Sequence, residues 1–134
     1  MTKVSFEVAQ NDFNKWAEAR RIGEKKREGN LGSEETILEA ITDGDLVINE
    51  DNTMELKLVW PIIGDGDGVK SLDFKFRLTA GERQEAMKGI SANDGEGRLI
   101  GLIAQLTNQP KGIIKKLESA PDFDRATSIA VYFL

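Results

Sequence analysis

Apolar and polar positions change rhythm three times along this chain, and each change marks a new kind of element. Val4, Phe6 and Val8 alternate with polar neighbours, which predicts a short opening strand. A helix capped by Asn11 or Asp12 is expected next, running to about Glu28 with Phe13, Trp16 and Ala17 on one face. Gly29, Asn30 and Gly32 stop it. Ser33 is the candidate cap of a second helix bearing Ile37, Leu38 and Ile41, which Asp43-Gly44 ends. Thr36 stands where a capping box wants Glu or Gln, but Glu34 and Glu35 suit the positive end of the helix dipole.

The rhythm then becomes two. Leu46-Val47-Ile48 reads as a short strand before the turn formers Glu50-Asp51-Asn52. Met54, Leu56, Leu58 and Trp60 alternate with Glu55, Lys57 and Val59 up to Pro61. Leu72, Phe74 and Phe76 do the same against Asp73, Lys75 and Arg77, and the glycines of GDGDG at 64–68 suit the hairpin loop between them. These segments predict an antiparallel meander with one wet face.

From Thr79 the period lengthens to that of a helix. Thr79 and Glu82 form a capping box before Ala86, Met87 and Ile90. After the breaker SANDGEG, the residues Leu99, Leu102, Ile103 and Leu106 make the best amphipathic stripe in the chain. Pro110 suits the first turn of a helix carrying Ile113, Ile114 and Leu117. A last helix is expected from about Pro121, with Phe123, Ala126, Ile129, Ala130 and Phe133 along one side. The predicted fold class is therefore α+β: a small antiparallel meander, then a cluster of about four helices, with a mostly helical N-terminal extension over residues 1–53.

Composition narrows the chemistry. The 134 residues contain neither Cys nor His, so disulfides, the common zinc sites and Ser-His-Asp or Cys-His nucleophile systems have no residues to be built from. A non-catalytic role without a cofactor is expected. No apolar run approaches the ~18 residues of a membrane span, and MTKVSFEV carries no apolar signal-peptide core. A cytoplasmic protein is expected. The net charge of −5 is uneven: residues 1–30 carry seven bases against five acids, and residues 31–53 carry seven acids and no base. Such a chain is a poor non-specific binder of nucleic acid.

Three motifs invite sharper readings. Calcium loops starting at Asp43 or Asp65 fail at their fifth and sixth positions, which are Val47-Ile48 and Val69-Lys70, so both DGD repeats read as turns. The bases Arg20, Arg21, Lys25, Lys26 and Arg27 are interleaved with Glu18, Glu24 and Glu28, the mark of a solvated helix face. Residues 103–117, IAQLTNQPKGIIKKL, match the apolar spacing of a helix-turn-helix, whose second helix would present Lys111, Lys115 and Lys116 to DNA. A DNA-binding regulator is thus the alternative to a protein-binding role.

The order of features from Met54 to Leu134 resembles the tail assembly chaperone family of Mu-like bacteriophages and prophages. The matching stretches are LKLVWPIIGDGDG, LDFKFRLTAGE, LIGLIAQLTNQP and KKLESAPDF, closing on VYFL. Leu78 stands where the family usually has Pro, and Asp122 arrives one position later than its pattern. The resemblance implies a chaperone-like domain over 54–134. It implies a helper, absent from the virion, that binds the helical tape measure protein until tail tube subunits polymerise around it. A frameshifted longer product is a further family trait. The C-terminal helix is the expected contact: Phe123, Ile129 and Phe133 lie on its stripe, while Tyr132 and Leu134 lie off it and should stay partly exposed. The alternative is that Tyr132 and Leu134 fold over the sheet or close a homodimer.

Overall fold

In a computed structural model that describes residues 3–64 and 68–134, the first helix starts earlier than its apolar pattern suggests. The Ser5 hydroxyl accepts from the Val8 N–H at 3.2 Å, so Phe6 and Val8 enter α1 (Phe6–Ala19) rather than a strand. Arg21 takes a left-handed φ of 56° and breaks the expected long helix, leaving α2 as the short Glu24–Glu28. α3 (Leu31–Thr42) begins two residues before Ser33, after Asn30, whose side chain is turned back to the Lys26 carbonyl at 2.8 Å. Gly44, at φ 79°, turns the chain out of α3 into the sheet, as its DGD sequence predicts.

β1 (Leu46–Ile48), β2 (Met54–Ile62) and β3 (Val69–Phe74) form the expected antiparallel meander in the order β1-β2-β3. Its register sets Leu46 against Leu56 and Leu56 against Leu72, so Leu46, Met54, Leu56, Leu58, Leu72 and Phe74 line one buried face. Glu55, Lys57 and Asp73 face outward. Phe76 lies beyond the end of β3 and is half-buried. Residues 65–67 of the hairpin loop, and with them the Asp65 turn, lie outside the described residues.

The helical half opens with the predicted capping box: Thr79 Oγ1 accepts from Glu82 N at 3.1 Å and Glu82 Oε1 accepts from Thr79 N at 3.0 Å. α4 (Ala80–Met87) lies against α5 (Gly95–Thr107), which buries Leu102, Ile103 and Leu106. Gly101 permits that approach, because a Cβ there would run into the Ala86 carbonyl. Pro110 caps α6 (Lys111–Ile114) instead of sitting within its first turn, and α6 is a single turn. The last helix is regular from Asp124 rather than Pro121. A kinked turn over Ser119–Phe123 leads into α7 (Asp124–Ala130), and a 3-10 turn (Val131–Phe133) follows.

One apolar core runs from Ala9 to Phe133, and residues 1–53 contribute Phe13, Trp16, Ile37 and Ile41 to it rather than hanging beside it. α3 packs on α7, and a buried ion pair fixes the contact. The Arg125 guanidinium donates to Asp45 at 2.8 Å and to Asp43 at 3.0 Å. Both carboxylates of that DGD turn are thereby used to hold α7 against the α3–β1 corner. Half a buried pair would be far more costly than none.

Candidate functional site

The five C-terminal residues expected to meet a partner separate into buried and exposed ones. Ile129, Tyr132 and Phe133 are 0%, 1% and 5% exposed, Phe123 is half-buried, and Leu134 is 51% exposed. The cause is the N-terminal part of the chain, which roofs the last helix. The Tyr132 ring stands 5.7 Å from Phe13 and edge-on to Trp16 at 5.8 Å, and its hydroxyl donates to the Asn30 carbonyl at 3.2 Å. The Arg20 guanidinium covers Phe133 at 3.8 Å from the ring centroid. The C-terminal helix is therefore core and not a docking face, with Leu134 as the exposed remainder.

Exposed apolar side chains are spread over Phe6, Val8, Leu31 and Val47 as well as Leu134, and three more follow closely in sequence at the far end of β2. Beyond the reach of the three-residue β1, Val59 and Trp60 are exposed, Trp60 by 60%, and Ile63 by 91%. The strand is also irregular there. Lys57 pairs with Ser71 and Ile62 with Val69, five steps on β2 against two on β3, which leaves three surplus residues in β2. Such a bulge frees backbone donors and re-aims side chains. Asp122 takes those donors. Its carboxylate, 0% exposed, accepts from Val59 N at 2.8 Å and from Trp60 N at 2.9 Å. Pro61, next in line, has no N–H to satisfy. The result is an arm (residues 59–63) pinned at its root to the turn before α7, with Ile62 buried opposite Val69 and Val59, Trp60 and Ile63 bare.

Lys111, Lys115 and Lys116 are all exposed, as a DNA reader would have them. However, the segment that carries them is helical over four residues, roughly 6 Å of helix. Ile114 and Leu117 anchor that turn in the core below α5. A recognition helix lays several successive side chains along the major groove. One turn offers much less.

No match was found between this chain and known protein families, curated proteins or solved structures. The chemistry of the site is therefore read from its own side chains. Among the described residues no three acids gather where they would hold a metal ion. The notable carboxylates are already engaged: Asp43 and Asp45 with Arg125, Asp122 with two amides, and Glu82 with Lys75 and the Thr79 amide. The hydrogen bond from Lys75, with that from Thr79 N, holds the Glu82 carboxyl down at about 2. Burial, reinforced by the charge of Glu34, pushes the Tyr132 hydroxyl up to about 12. Neither is poised to exchange a proton near neutral pH. No helix among the described residues is long and apolar enough to cross a membrane.

Sequence reasoning passed over Val59, Trp60 and Ile63. It placed Trp60 on the inner face of β2, and the parity of the strand agrees, but the strand leaves the core between Leu58 and Ile62 and Trp60 stands in that gap. A signal was present: the alternating run from Met54 to Trp60 beside the three-residue Leu46-Val47-Ile48 must outrun its neighbour.

Proposed function

We propose that this protein is a non-catalytic phage tail assembly chaperone that binds the tape measure protein and keeps it soluble during tail assembly. In this reading it works in the bacterial cytoplasm, without cofactor, and hands its client to tail tube subunits without joining the virion. The observation that carries the reading is the arm: Val59, Trp60 and Ile63 present apolar surface that the chain's own core does not cover. Exposed apolar side chains grouped in this way are a feature of surfaces that bind other proteins. A tape measure helix exposes apolar stripes of its own, and covering one from the arm would remove both surfaces from water. The resemblance of residues 54–134 to the tail assembly chaperones supplies the identity of the client.

The test is co-expression with the tape measure protein, comparing soluble client for the wild type and for Trp60→Ala with Ile63→Ala. Both side chains lie outside the core, so the variant should keep its circular dichroism spectrum while soluble client falls. Equal client solubility with a folded variant would remove the arm from the reading. The DNA-binding alternative keeps its three exposed lysines and lacks a reading helix longer than one turn. A sharp duplex consensus lost on Lys115→Ala with Lys116→Ala would establish it in place of the chaperone reading.

A further inference from the structure

The exposed Leu134 lines two clefts of about 400 and 430 Å³. Arg98 lines both as well, so the two form one trough between α4, the start of α5 and the C-terminal turn. Met87, Leu99 and Val131, all half-buried, supply the rest of its apolar lining. Its charged residues are Arg83 and Arg98, and no acidic side chain lines it. Neither arginine belongs to an ion pair among the described residues, and the Leu134 carbonyl is taken by Lys26 Nζ at 2.8 Å. The trough is thus an apolar strip beside two uncompensated positive charges. A surface that fits it sets an apolar side chain next to two carboxylates.

Such a surface lies at the same end of this chain. Leu31, Glu35 and Glu39 stand four residues apart on α3 and so share one stripe of the helix. All three are exposed, Leu31 by 61%. Glu35 and Glu39 make no ion pair among the described residues, whereas Glu34 is held by Arg27. The Asn30 side chain donates to the Lys26 carbonyl, the Asn30 carbonyl accepts from the Tyr132 hydroxyl, and Lys26 reaches Leu134. These contacts seat the start of α3 beside the C-terminal turn, which makes the acidic stripe and the basic trough neighbours. Leu31 and Leu134 both remain exposed, so the two patches do not cover each other within one chain.

Two complementary patches side by side are what a two-fold contact requires, since each then meets the other on the partner. We propose that this protein pairs with a second copy of itself, the Leu31–Glu35–Glu39 stripe of each chain lying in the Arg83–Arg98 trough of the other. Each half of the contact removes Leu31 and Leu134 from water together and sets two carboxylates against two guanidinium groups. One helix stripe against one trough, twice over, places the contact among the smaller interfaces, under ~1,200 Å² in total, so a dimer that comes apart on dilution is expected. Val59, Trp60 and Ile63 take no part in it, and the inference stands apart from the chaperone reading.

Sedimentation velocity of the full chain in low salt, from roughly 1 μM to 1 mM, tests the pairing. A concentration-dependent dimer is expected, weakened by added salt. Glu35→Lys with Glu39→Lys sets base against base, and Arg83→Glu with Arg98→Glu sets acid against acid, so each double variant should associate at least about tenfold more weakly than the wild type. Mixed in equal amounts, the two variants regain opposite charges in both halves of the contact and should form a one-to-one heterodimer. If Arg98→Glu disturbs the circular dichroism spectrum, Arg83→Glu and Glu35→Lys as single variants carry the same test. A wild type that stays monomeric throughout would overturn the proposal. So would folded variants that dimerise as the wild type does, or variants that stay apart when mixed.

Discussion

Replacing Asp122 with alanine should cost this protein a large part of its stability, because two backbone amides lose their acceptor together. The carboxylate accepts from Val59 N at 2.8 Å and Trp60 N at 2.9 Å. A hydrogen bond to a charged partner contributes about 1.5–3 kcal/mol net, so simple addition gives about 3–6 kcal/mol for the pair. Two effects reduce that sum. Val59 and Trp60 are exposed, so water can reach part of what alanine frees, and the variant no longer buries a charge. The expected loss is about 2–3 kcal/mol, a large share of the ~5–15 kcal/mol available to a domain. Urea unfolding followed by far-ultraviolet circular dichroism should show a lower midpoint at unchanged slope. Asp122→Asn keeps one acceptor oxygen and should recover roughly half the loss. Amide exchange at residues 59 and 60 should speed up in Asp122→Ala while Leu56 stays protected. An unfolding free energy within about 0.5 kcal/mol of wild type would refute the claim that this carboxylate holds the bulge.

Three further outcomes are expected. Glu82, at about 2 in the fold, favours folding above its ordinary value of 4.5, and that contribution disappears as pH falls from 4.5 through about 2. Lys75→Met should move its carbon-detected NMR titration up toward the ordinary value, and an unmoved midpoint would exclude Lys75 as the cause. The Tyr132 hydroxyl, raised to about 12, favours folding fully below pH 10 and stops doing so as pH climbs from 10 through about 12. Absorbance at the tyrosinate band should show this single tyrosine ionising with the alkaline unfolding transition, and ionisation near 10 in folded protein would contradict its burial. Gly101→Ala should destabilise by about 1–3 kcal/mol, because its Cβ would force α4 off α5 at the Ala86 carbonyl. A thermal midpoint equal to wild type would mean that the two helices adjust freely.

What could be read along the sequence was what depends on near neighbours. The Thr79–Glu82 capping box, the alternation of Met54, Leu56 and Leu58, and the stripe of Leu102, Ile103 and Leu106 are settled within a few residues, and the structure reproduces them. The opening segment failed because two local signals competed. Val4, Phe6 and Val8 alternate like a strand, yet Ser5 caps a helix, and the contact of Phe13 and Trp16 with the core favours the helix. The C-terminal surface failed for a non-local reason. Tyr132 looked superfluous on its own helix, and nothing near it in sequence announces that Phe13, Trp16 and the Asn30 carbonyl will enclose it. Arg125 is likewise drawn inside by Asp45, eighty residues away.

The arm shows how local pattern and long-range contact combine. Alternation places Trp60 toward the core side of β2, but burial requires an opposing element, and β1 stops at Ile48. Left to the hydrophobic effect alone, residues 59–63 would fold back and cover themselves. Two features oppose that. Pro61 restricts the backbone where the chain would have to bend, and Asp122 fixes the two preceding amides to a turn that α7 and Arg125 hold in place. Trp60 and Ile63 consequently stay in water at a defined position, at a cost of roughly 2 kcal/mol for each large side chain left uncovered. Covering them with a partner recovers that free energy, whereas cutting the Asp122 anchor lets the arm collapse onto its own sheet. Asp122→Ala should therefore lower Trp60 exposure to acrylamide quenching as well as stability, an effect that mere loosening of the fold would reverse in sign.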